Sequence, residues 1–123
     1  MQPTRDVTTY VAGWRRRNAE REAHARARAA EALARLPAVV EVLVQRFGAR
    51  RVVLFGSLAT GRFSDASDID LAVEGIRDRW FEAWEAAERR LAPEFRLDLL
   101  PLELARPAIR AAIASGRVLH GDG

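Results

Sequence analysis

The chain has 123 residues, 49% hydrophobic and 30% charged, with a formal net charge of +3. That length fits one domain with one real core. The absence of cysteine excludes a disulfide framework or thiolate site. All 20 basic residues are Arg, which excludes Schiff-base lysine chemistry and a P-loop lysine. No apolar run approaches the length of a membrane span, and the start of the chain lacks the apolar core of a signal peptide. Cytoplasm is therefore the expected compartment. The net charge is modest, and a high pI that follows partly from using only Arg is poor evidence for nucleic-acid binding.

Residues 5–36 predict one long helix, or two joined near Gly13. Val7, Tyr10, Val11 and Trp14 recur at helical spacing as an apolar stripe. From Arg15 to Arg35 the sequence is mostly Ala, Arg and Glu, all strong helix formers. Residues 1–36 hold eight Arg and four acids. A solvated helix lying across the domain or against a partner is the plainer reading, ahead of a nucleic-acid-binding arm, because aromatic interleaving is nearly absent. Pro37 suits the first turn of a new helix. Val39, Val40, Leu43 and Phe47 give that helix its apolar face, and Gly48 its C-terminal cap.

Val52–Phe55 reads as a buried strand. It breaks at Gly56-Ser57, where a glycine permits close backbone approach or positive φ and the Ser hydroxyl and nearby N–H groups can face a phosphate. After a ten-residue loop the chain returns as Asp68-Ile69-Asp70, entering a second strand to Val73. Side chains alternate along a strand, so Asp68 and Asp70 share a face, roughly 7 Å apart at Cα, while Ile69, Leu71 and Val73 face a core. Two carboxylates on one face repel unless a cation lies between them. Oxygen-only ligands beside nucleotide phosphates suit Mg²⁺, a combination fit for metal-assisted phosphoryl or nucleotidyl transfer.

Gly75 ends that strand and Asp78 is a candidate N-cap. Trp80, Phe81, Trp84, Ala87 and Leu91 form an amphipathic face, with core packing far ahead of base stacking as its purpose. Pro93 stops the helix. Phe95–Leu100 predicts a third strand, with Arg96, Asp98 and Leu100 on one face. Asp98 is either exposed at a strand end or, if this strand lies beside the second, joins Asp68 and Asp70. A short helix follows from Pro107 to Ser115, with Ile109 and Ile113 buried and Gly116 as cap. Val118-Leu119 is a candidate edge strand, and the last three residues are expected to fray.

Gly56-Ser57, ten residues, then Asp68-x-Asp70 resembles the motif of the DNA polymerase beta-like nucleotidyltransferase superfamily. With Gly61 in the loop and the run Ser67-Asp68-Ile69-Asp70-Leu71, it is most similar to the small prokaryotic minimal nucleotidyltransferase (MNT) group. The resemblance covers about residues 37–120. It implies an α/β (α+β) fold, a small mixed sheet with helices mainly on one face. Residues 1–36 stand outside it as an N-terminal helical extension, and 37–123 form the minimal nucleotidyltransferase domain.

The resemblance also implies an activity: Mg²⁺-dependent transfer of a nucleoside monophosphate from ATP or another NTP to a hydroxyl, with pyrophosphate released. Carried onto this chain, Asp68, Asp70 and Asp98 hold two Mg²⁺ ions and form the catalytic set, and Asp98 helps deprotonate the acceptor. Gly56 and Ser57 cradle phosphates. Relatives often carry Arg shortly after the Gly-Ser pair, whereas Leu58 and Thr60 stand there here. Arg62 is the nearest cation, either a triphosphate contact or an exposed loop residue. Many members of the group are antitoxins paired with a helical HEPN-domain toxin, and some transfer AMP to it. The expected partners are thus an NTP and a HEPN-domain protein, with the N-terminal helix as a surface for docking or self-association and neither membrane nor nucleic acid expected. The competing reading is a catalytically weak module that neutralises a partner by docking.

Overall fold

The computed structural model describes residues 7–122. Helix α1 spans Val7–Glu41 and runs into a π-helical turn, Val42–Arg46. It passes through Gly13 and Pro37 without interruption, so the chain does not begin a new helix at Pro37. The reason is the continuity of its apolar face: Ala32, Leu36, Val39 and Leu43 are all buried in one cluster, at the spacing of one helix stripe. Burial of that stripe outweighs the backbone hydrogen bond that a proline forfeits. Gly48, at φ 74°, closes the turn, with its N–H donating to the Val44 carbonyl at 3.0 Å. The expected helical residues 5 and 6 and the expected fraying at Gly123 lie outside the described residues.

Four strands follow: β1 (Arg51–Phe55), β2 (Ile69–Glu74), β3 (Leu97–Pro101) and β4 (Arg117–His120). Their spatial order is β3-β2-β1-β4. β1 pairs antiparallel with β2 and β4, while β2 and β3 run parallel. A parallel pair needs a crossover, and here it carries α3 (Trp80–Glu88). The one-turn helix α2 (Ser57–Thr60) lies between β1 and β2, and α4 (Pro107–Ala114) between β3 and β4. No helix among the described residues is long and apolar enough to cross a membrane.

Alternation along the strands divides the sheet into two faces. Val52, Leu54, Ile69, Leu71, Val73, Leu97 and Leu99 enter the main core with residues of α1 and α3. On the other face Val53 and Ala72 meet Leu102 and Ile113 in a smaller cluster. Among the described residues only α4 and the short turn before it cover that second face, so the starts of β2 and β3 are left open. The mixed sheet with helices mainly on one face is as expected.

Three local expectations fail. Phe81 is 81% exposed, because Trp80 and Trp84 already turn the inner face of α3 toward the core. Ile109 is 40% exposed while Ile113 is buried, since α4 packs on the sheet through its C-terminal turn. Asp78 does not cap α3; Arg79 occupies the N-cap, with no side-chain cap bond.

Pro37 leaves the Leu33 carbonyl without its usual i+4 donor. Pro37→Ala restores that donor at an exposed position and is expected to raise stability by about 2 kcal/mol, proline's helix-interior penalty less its stiffening of the unfolded chain, read as a higher urea midpoint. A lower midpoint would show that the core packing needs the proline's geometry.

Candidate active site

The parallel register of β2 and β3 sets the site. Asp70 lies opposite Asp98, and Ile69 opposite Leu97. Asp70 and Asp98 therefore stand side by side, on the face that Leu71 and Leu99 turn away from. Asp68, one residue before β2, shares that face by alternation. Asp98 stands beside Asp70 because its strand is the neighbour of β2.

Burial and the charges of Asp98 and then Asp68 raise Asp70 from the usual carboxylate value of 3.8 to about 6. Both effects disfavour the ionised form. Among the described residues no ion pair joins any of the three acids to an arginine.

Gly56 completes the inner wall. Its backbone sits at φ 75°, ψ −154°, a region essentially reserved for glycine. A Cβ there would collide with the Asp70 carboxylate, so any side chain at this position would displace the central acid. The chain then enters α2 at Ser57 rather than an irregular loop. The first N–H groups of such a turn lack intrahelical acceptors. Gly61, at φ 80°, ends it, and the Arg62 N–H returns to the Ser57 carbonyl at 2.9 Å. Leu58 is buried and Thr60 turns its hydroxyl onto the Ser57 carbonyl at 3.4 Å. Arg62 is exposed.

Two supports were not legible in the sequence. First, α3 holds the start of β3 from its open edge. Trp84 Nε1 donates to the Leu97 carbonyl at 2.8 Å, and the Leu97 N–H donates to Glu88 Oε2 at 2.9 Å. These bonds fix the residue next to Asp98. Second, α1 ties down the two loops that lead to the acids. His24 meets Asp65 at 3.0 Å, and the Arg28 guanidinium lies over Phe95 at 4.6 Å and Phe63 at 5.9 Å. Arg28 also donates to the Glu94 carbonyl at 2.9 Å, and Arg35 pairs with the Glu94 carboxylate at 2.7 Å. Spacing along α1 makes these arginines look like a solvated face, and only the folded contacts distinguish them. Beside Asp68 a cavity of about 330 Å³ is lined by Ser67, Arg28 and Arg96.

Among the described residues no three acidic or histidine side chains are already gathered as a metal cluster. That does not argue against Mg²⁺, which binds through one or two carboxylates together with substrate phosphates and waters, not through a ready all-protein cage. The donor set is all oxygen and its charge is uncompensated, so it fits such an ion.

A family model, polymerase beta nucleotidyltransferase, matches residues 38–122. The chain belongs to this nucleotidyltransferase family. Among solved structures it is similar to one provisionally described as a minimal nucleotidyltransferase, with 29% identity, a TM-score of 0.60, and coverage of 72% of this chain and 92% of that one. No curated protein matches. The family match begins at residue 38, inside α1, so the nucleotidyltransferase sheet carries a helix whose residues 7–37 lie outside the matched region.

The acids make a stability prediction. Asp70 binds a proton more tightly folded, at about 6, than at its ordinary 3.8. Stability contributed by this group therefore falls as pH rises from 3.8 to 6. Above pH 6 the folded protein carries the full cost of the charge, about 3 kcal/mol unscreened, and solvent at this half-exposed site reduces it to about 1 kcal/mol. Without metal, Asp70→Asn should be about 1 kcal/mol more stable than the parent at pH 7.5, with the gain vanishing below pH 4. Urea melts at both pH values check this.

Proposed function

We propose that the chain is a Mg²⁺-dependent nucleotidyltransferase that moves AMP from ATP to a hydroxyl on a partner protein, as the MNT antitoxin of a HEPN/MNT pair. The observation that carries the catalytic part is the register placing Asp98 beside Asp70, with Asp68 adding its charge to the same carboxylate. Family membership supports the reaction class. The protein acceptor is supported by the second sheet face, whose cover among the described residues is only the small cluster around Leu102 and Ile113, with Asp98 left exposed.

Asp68 and Asp70 would hold the metal ions, with Asp98 as the third ligand. Bound there, Mg²⁺ supplies charge stabilisation at the attacking and leaving oxygens of an in-line displacement. The acceptor hydroxyl oxygen forms a bond to the α-phosphorus as the bond to the β-phosphate oxygen breaks, and pyrophosphate leaves. Asp98, the most exposed strand carboxylate of the set, accepts the hydroxyl proton. Gly56 and Ser57 present the opening turn of α2 to the β- and γ-phosphates, where helix-start N–H groups favour anions. Arg62, just past that turn, reaches the triphosphate from solvent.

A second reading has its own support. Leu58 is buried and the Thr60 hydroxyl is turned inward, so the phosphate turn offers no cation of its own before Arg62. On this reading the fold binds and silences a partner without chemistry, and Asp68→Asn or Asp98→Asn would leave neutralisation intact.

The decisive assay is transfer of α-phosphate label from ATP to a co-expressed HEPN-domain protein. Asp70→Asn should lower labelling about a hundredfold or more, since removing a metal ligand costs several kcal/mol of transition-state stabilisation. Equal labelling by both proteins would exclude the catalytic reading.

A further inference from the structure

The first turns of α1 are unlike the rest of the helix. From His24 onward α1 is tied to the domain, through Asp65, the Phe63–Phe95 pair and Glu94. Before that tie, residues Val7 to His24 extend about 25 Å at the rise of an α-helix. Val7, Tyr10 and Trp14 are 73%, 62% and 53% exposed. They fall at i, i+3 and i+7, the spacing by which a helix presents anchors to a groove. Two aromatic residues this exposed, outside the core clusters of the described residues, are costly in water.

Around the stripe lie Arg15, Arg16, Arg17 and Arg21 against Glu20 and Glu22. All of these side chains are exposed, and no ion pair takes up the four arginines among the described residues. Arg17, Glu20 and Arg21 border a cavity whose other wall is Ser64, Asp65 and Ala66, the loop that ends at Asp68. The arm thus leaves the domain at the rim of the acidic site.

We infer that this arm is the docking element for an acidic partner protein, whose apolar groove takes Val7, Tyr10 and Trp14 while its carboxylates meet the arginines. Charge decides the occupant. A second copy would bring another arginine cluster onto the same stripe, and like charges across an interface are costly. A nucleic acid would satisfy the arginines and leave Val7 and the rings in water. An acidic groove answers both features at once. A protein held there sits beside the loop that leads to Asp68, so the arm would bring the acceptor hydroxyl toward the site. That last step rests on the proposed nucleotidyl transfer; the docking does not.

The test uses the full-length protein with the photo-crosslinker benzoylphenylalanine replacing Trp14 or, as a control, the exposed Arg110 on α4. Each is irradiated in an extract of the native host and the adducts are identified by mass spectrometry. The expected result is an adduct with one acidic protein at position 14 and none of it at 110. Tyr10→Ser should weaken that adduct about tenfold, as loss of an aromatic anchor does, and the triple change Arg15→Glu, Arg16→Glu, Arg17→Glu should do the same. Tyr10→Ser should leave the melting temperature unchanged, because Tyr10 stands outside the core; a lowered one would overturn the claim that the arm is free of the domain. Adducts with a second copy or with nucleic acid, or no adduct at all, would also overturn the inference. Asp70→Asn should leave the adduct intact, so an inactive site and a failed docking arm give different results.

Discussion

Three like charges held on one side of a small sheet are the constraint around which this molecule is arranged. Among the described residues no ion pair neutralises them, and burial, with the charges of Asp98 and Asp68 added, pushes Asp70 up to about 6. A fold selected for stability alone would pair or remove such a group. Here the surrounding structure does the opposite. Gly56 gives up a side chain to make room for the Asp70 carboxylate. Trp84 and Glu88 pin the strand beside Asp98, and Arg28 and Arg35 anchor the approach loops. Repulsion kept in place by this many separate contacts is the feature on which the proposed cation site rests.

The division of the sheet into two unequal faces follows from the same need. The main core is continuous from α1 through β1, β2 and β3 to α3, and it supplies most of the buried surface. The second face keeps only a small cluster around Val53, Ala72, Leu102 and Ile113. The acids emerge where that cluster ends.

Much of this was legible in the sequence because it depends on short-range rules. Alternation places Asp68 and Asp70 together, the Gly-Ser break marks the turn, and a lone Asp between leucines marks a third strand that needs a purpose. The apolar stripe of α1 was legible too, but its continuity through Pro37 was not, since local propensity argues for a break and only tertiary burial of Leu36, Val39 and Leu43 overrides it. Ile109 and Phe81 misled for the matching reason: helical periodicity shows which residues can share a face, not how far along the helix the neighbouring layer reaches. The roles of Arg28, Arg35 and Glu88 could not be read at all, because an arginine that binds a distant loop and one that faces solvent look alike in an Ala/Arg/Glu helix.

The central claim is that Asp68, Asp70 and Asp98 act together as ligands to divalent ions in the presence of a nucleotide. The most direct test is a crystal structure with Mn²⁺ and a non-hydrolysable ATP analogue, read by anomalous scattering. The account predicts metal density between these carboxylates and the analogue's phosphates, with the phosphate tail against Gly56 and Ser57. An ordered analogue with no metal at the acids, or with Asp98 turned away from Asp70, would contradict it.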